Sequence, residues 1–110
     1  MTMQLEKIFE ALASTPRRKI LAYLAEVDLT AGEIASRFEM SKPAISKHLQ
    51  VLENAGLVSS RKQGQFVFYA LVRDNLINTL NGFVQNVCPV SAPLKRESAK
   101  LRSRRPRDAE

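Results

Sequence analysis

The chain is poor in the residues that build metal centres and covalent cross-links. Of 110 residues, one is cysteine (Cys88) and one is histidine (His48). An internal disulfide is excluded, and a lone thiol fits a reducing compartment. A closed zinc site needs about four nitrogen, sulfur or oxygen ligands, so no metal and no cofactor is expected. No apolar run approaches the roughly 18 residues needed to span a bilayer. The opening segment MTMQLEKIFEAL is amphipathic, carries acids and lacks the apolar core of a signal peptide, so a cytoplasmic chain is expected. Internal repeats, a phosphate-binding glycine loop, a nucleophile–base pair and a carboxylate pair are also missing. An enzyme is therefore the least supported class.

What is present is charge of one sign, unevenly placed. The net charge is +6 with a pI near 9.9. Residues 1–93 hold ten Lys/Arg against eight Asp/Glu, and residues 94–110 hold seven against three, so the body is +2 and the tail +4. A basic total suggests a polyanionic partner, but the body's case must rest on where its cations stand. Residues 1–90 are read as one domain. Residues 91–110, introduced by Pro89 and Pro93, are read as a basic disordered tail that either solubilises the chain or adds sequence-independent affinity for DNA.

The stretch SKPAISKHLQVLENAG, Ser41 to Gly56, organises the rest. Ser41 is an N-cap, Pro43 falls in the first helical turn, and Gly56 ends the helix. Ile45, Leu49 and Leu52 form one apolar stripe. The opposite face carries Lys42, Ser46, Lys47 and Gln50 and no acid before Glu53. Hydroxyl, amide and ammonium groups on such a face suit base edges in the DNA major groove. His48, beside the apolar stripe, is open to a structural or a phosphate contact.

Before it, Leu5, Ile8, Phe9 and Leu12 mark a first helix, and Ser14–Thr15–Pro16 opens a second that runs to about Glu26. Arg17, Arg18 and Lys19 at its start oppose the helix dipole and call for compensation, by phosphate or by acids such as Glu6 and Glu10. Thr30 and Glu33 make a capping box for a third helix, TAGEIASRF, with Ile34, Ala35 and Phe38 inward. Two capped helices separated by a tight turn are the helix-turn-helix pattern. After Gly56, Leu57 and Val58 begin one strand and Phe66 to Leu71 form another. Arg61, Lys62, Gln63, Gly64 and Gln65 make the tip between them, a wing for the DNA backbone or minor groove. Arg73 to about Val87 form a last helix. Its face of Leu76, Leu80, Phe83 and Val87, widened by Ile77 and Val84, is more apolar than a small domain's own core requires. Pairing with the first helix and with a second copy is expected, which makes Leu5, Ile8, Phe9, Leu76, Leu80, Phe83, Val84 and Val87 the dimer set.

The fold class is thus mostly α with a β-hairpin wing, in the order α-α-α-α-β-β-α. The segments LASTPRRKILAYL and LTAGEIASRFEMSKPAISKHLQVLENAGLVSSRKQGQFVFYAL resemble the ArsR family of winged helix-turn-helix repressors over about residues 3–88, and within it a metal-independent subgroup. The resemblance implies a homodimer that binds an imperfect inverted repeat of double-stranded DNA and blocks transcription, associating with the nucleoid when bound. It implies that Lys42, Ser46 and Lys47 reach bases, that Thr30 and Ser41 lie near phosphate, and that Arg61, Lys62 and Gln65 hold the backbone. Where metal-sensing members carry a Cys-x-Cys at the third helix, this chain has Thr30 and Gly32. Where others place ligands on the last helix, Asp74 is present but Leu76, Val87 and Val90 are not ligands. Any effector, protein or small molecule, stays unidentified. Cys88 is read as a buried or half-buried packing residue or, alternatively, a redox switch between two copies. A nonspecific nucleic-acid binder driven by the tail and a protein-interaction module on the same fold are the competing functions.

Overall fold

A computed structural model describes residues 2–88 and 100–102. The elements are α1 (Thr2–Leu12), α2 (Thr15–Leu24), β1 (Leu29–Thr30), α3 (Ala31–Ala35), α4 (Lys42–Asn54), β2 (Val58–Gln63), β3 (Phe66–Leu71) and α5 (Arg73–Val87). The chain divides into two compact units, Met1–Thr79 and Leu80–Glu110, with the boundary inside α5. The expected tail from residue 91 lies outside the described residues except for 100–102, which are helical.

Apolar residues at helical spacing build the core of the first unit. Ile8 and Ala11 of α1, Ile20, Leu21 and Leu24 of α2, Ile34 of α3 and the α4 stripe are all buried, joined by Leu29, Leu57 and Val58 from the sheet. Side-chain caps fix where the helices start. Ser14 accepts from the Arg17 N–H, Thr30 and Glu33 form the reciprocal capping box, and Ser41 accepts from the Ala44 N–H. Each such cap contributes about 1 kcal/mol. α4 ends as its sequence requires. Gly56 stands at φ +75°, the Leu57 N–H bonds to the Leu52 carbonyl and the Gly56 N–H to the Glu53 carbonyl, which is a Schellman motif.

Three sequence expectations need correction. The third helix does not run through TAGEIASRF but stops at Ala35. Ser36 Oγ and Arg37 Nη1 both donate to the Glu33 carbonyl, while the Arg37 N–H turns to Ile34 and that of Phe38 to Ala35. Side chains occupy the acceptor that the next α-helical bond needs, and the chain tightens into a turn. A strand was missed. Thr30 adopts the extended conformation of an N-cap (φ −78°, ψ 161°), so Leu29 and Thr30 pair with Tyr69 and Phe68 in a three-stranded antiparallel sheet of order β1-β3-β2. Two residues are too few to show a period.

The hairpin tip is also shorter than expected. Arg61, Lys62 and Gln63 belong to β2, and the ladder continues to the Gln63–Phe66 pair. Only Gly64 and Gln65 turn the chain. Gly64 alone has positive φ (+64°), the pattern of a type II′ hairpin.

Candidate nucleic-acid interface

The face of α4 assembled from Lys42, Ser46, Lys47 and Gln50 is exposed along its length, while Ile45, Leu49 and Leu52 behind it are at most 1% exposed. The helix is held at both ends. At its start, Ser41 caps it and Pro43 occupies the first turn. At its end, Gln4 Nε2 of α1 donates to the Ala55 carbonyl (2.9 Å) and Asn75 Nδ2 of α5 to the Gly56 carbonyl (2.7 Å). Carbonyls left open by the end of the helix thus find partners on two other helices. Glu53, the first acid on α4, accepts from Ser60 Oγ at 2.9 Å and so ties α4 to β2.

Arg17 acts as a strut. Its Nε donates to the Ala11 carbonyl (2.8 Å) and Nη2 to the Glu10 carbonyl (3.0 Å), and Nη1 lies 3.3 Å from His48 Nδ1. Arg18 donates to the Leu12 carbonyl. The carboxylates of Glu6 and Glu10 do not take up these two cations. The electronegative C-terminus of α1 does, and its carbonyls gain cationic donors in return. Because an arginine only donates, His48 Nδ1 must accept, which places the imidazole proton on Nε2. His48 is half-buried, and its pKa lies below the usual histidine value of 6.5, first through desolvation and then through the Arg17 charge.

The turn between α3 and α4 is packed by aromatics. Tyr23 of α2 meets Phe38 edge-on with centroids 5.8 Å apart, and the Arg37 guanidinium sits 5.7 Å from the Tyr23 centroid. The Thr30 hydroxyl accepts from the Glu33 N–H and that of Ser41 from the Ala44 N–H, so both serve as caps.

Across the wing, Lys62, Gln63 and Gln65 are exposed. Arg61 is engaged: Nη1 meets Asp28 Oδ2 at 2.6 Å, and the guanidinium lies 5.4 Å over the Phe68 ring. Sequence reasoning singled out Arg61 but missed Asp28, Gln4, Asn75 and the strut role of Arg17. Their roles arise from contacts between residues far apart in the chain, for which a single sequence carries no periodic signal.

The expected dimer set separates into two groups. Ile8 is wholly buried within its own chain and is withdrawn from it, because the packing of α1 against α2 and α4 uses its side chain up. Leu5, Leu76, Leu80 and Phe83 are half-buried, and Phe9 is exposed. Ile77 (60%), Val84 (50%) and Val87 (59%) are largely exposed, and no residue of α5 is buried. Cys88, just past α5, is exposed, which contradicts the packing role expected for it. Among the described residues, no group of three His, Cys, Asp or Glu is placed to hold a metal ion, and no helix is long and apolar enough to cross a membrane.

A short first helix, a tight turn, a capped second helix with an exposed polar face and a following hairpin define a winged helix-turn-helix protein. The family model for bacterial regulatory proteins of the arsR family matches residues 14–60. The transcriptional repressor SdpR of Bacillus subtilis (strain 168) is 42% identical over 77 residues, spanning 70% of this chain and 86% of that protein. An ArsR-like transcriptional regulator from Rhodococcus sp. RHA1 superimposes with a TM-score of 0.76 at 30% identity, over 93% of this chain and 92% of that one. The homodimeric winged helix-turn-helix DNA-binding domain of Mb0332 from Mycobacterium bovis gives a TM-score of 0.65 at 30% identity, over 79% and 80% of the two chains. The chain belongs to the ArsR family of transcriptional regulators.

Proposed function

We propose that this regulator is a sequence-specific repressor that binds an inverted-repeat operator as a homodimer. In this reading Lys42, Ser46, Lys47 and Gln50 of α4 enter the major groove, with His48 at its edge. Thr30 and Ser41 stand near phosphate, and Lys62, Gln63 and Gln65 of the wing meet the backbone, joined by Arg61 when phosphate competes with Asp28. The observation that carries the reading is the division of α4: its apolar side is wholly buried, and its free side holds the hydrogen-bonding groups that base edges accept. The exposed apolar residues of α5 supply the face for a second copy. Repression follows by occupying promoter DNA in the cytoplasm and needs neither catalysis nor a metal.

Selection from a random duplex pool with the full chain tests this. Enrichment of an inverted repeat whose half-sites lie about one helical turn apart is expected. Retention of DNA without any enriched sequence would contradict it and favour charge-driven binding by the basic tail.

A further inference from the structure

The two strands of the wing differ in chemistry. β2 presents Ser59, Ser60, Arg61, Lys62 and Gln63, all exposed, whereas β3 begins with Phe66 and Val67, which are 54% and 41% exposed. Register divides these side chains between two faces. Val58, Ser60, Lys62, Val67 and Tyr69 share the face of the buried Leu29, and Arg61, Gln63, Phe66 and Phe68 share the other. On that outer face a row of contacts leads to the tip. Asp28 holds Arg61, Arg61 lies over Phe68, and the Phe68 ring meets Phe66 with centroids 6.5 Å apart at 61°. Phe66 is the last member, next to the two-residue turn and paired across the ladder with Gln63. A phenyl ring braced from behind and open in front, with Arg61 on its own face and Lys62 on the opposite face of the same narrow hairpin, calls for a ligand with both apolar and anionic surface.

Duplex DNA has that combination in its minor groove, where deoxyribose faces line the walls between phosphates. We propose that Phe66 is a DNA-contacting residue of the wing, its ring set against the sugar wall of the minor groove while Lys62 on the neighbouring strand neutralises a phosphate. The exposed Lys62 and the Ser60–Glu53 hydrogen bond, which ties the other face of the same hairpin to α4, favour DNA over a protein partner. The proposal rests on the repressor reading and extends it to an apolar contact.

Titration of the full chain on the selected operator by fluorescence anisotropy, over a series of salt concentrations, tests it. Phe66→Ala should weaken binding about tenfold and leave the slope of log K against log salt unchanged. Phe66→Leu should keep most of the affinity. Lys62→Ala should reduce the slope by about one. Three results would overturn the proposal: Phe66→Ala binding like the wild type, Phe66→Ala changing the slope as Lys62→Ala does, or Phe66→Ala altering the mass of the free protein, which would make the ring a contact between copies. Wild-type protein that binds no duplex would remove the repressor reading itself, a result distinct from these three.

Discussion

α4 and α5 are amphipathic helices of similar length, 13 and 15 residues, put to opposite uses. α4 buries its whole apolar stripe inside its own chain and leaves its polar face uncovered. α5 buries no residue completely and leaves Ile77, Val84 and Val87 in water. Both patterns look alike as periodicity, and the difference lies in what stands opposite. α4 is enclosed by α1, α2, α3 and β2, so only its hydrogen-bonding side is free for a ligand. The apolar residues Ile77, Val84 and Val87 of α5 are not enclosed by the described residues. In the proposed homodimer, one helix is finished by folding and the other by association.

The largest expected effect comes from spoiling the unfinished helix. Ile77→Glu with Val84→Glu should give a folded single chain, read by sedimentation, with operator affinity reduced about a thousandfold or more toward the nonspecific level. Persistence of the dimer would place its interface elsewhere. The complementary break leaves association intact and spoils the finished helix's free face. Lys47→Glu should cut operator binding about a hundredfold, with circular dichroism and dimer mass unchanged. Loss of fold instead would show that this face supports structure.

How α4 is held in place can be probed next. A Cβ on Gly56 would fall 2.4 Å from Asn75 Nδ2, at a φ of +75° that side chains rarely adopt. Gly56→Ala should therefore cost about 1–3 kcal/mol in chemical denaturation. A neutral result would mean that the Asn75 contact yields freely.

These expectations also show what a sequence discloses. The caps Ser14, Thr30 and Ser41, the stripe of α4 and the terminating Gly56 are local features, and each was legible from residues within four positions of one another. The early stop of α3 was not, because it depends on Ser36 and Arg37 competing for one carbonyl. β1 was not, because two extended residues show no alternation. Periodicity marks an apolar face without saying which surface covers it, so it does not separate Ile8, buried within its own chain, from the exposed residues of α5, and a lone thiol after an apolar helix does not disclose that Cys88 is exposed. At the interface, the exposed residues of α4 were legible one by one. Its supports Gln4, Arg17 and Asn75 were not, since hydrogen bonds spanning 51, 31 and 19 positions leave no pattern in the chain.

The smallest predicted effect concerns that long-range support. The folded state holds His48 neutral, with its pKa below 6.5, because it is half-buried and faces Arg17. The unfolded chain therefore binds more protons below that value, and stability should fall as pH drops from about 6.5 through the folded pKa. His48→Gln should flatten that part of the pH profile of thermal unfolding. An unchanged profile would show that the contact with Arg17 is not coupled to stability.

The most direct test of the division between α4 and α5 is stoichiometry. Sedimentation of the full chain with the selected inverted repeat, and with a single half-site, counts the copies bound. Two chains on the repeat, with the isolated half-site held far more weakly, is the predicted result. One chain per repeat, bound as tightly to a half-site as to the whole, would contradict it, since the exposed face of α5 would then have no role in binding DNA.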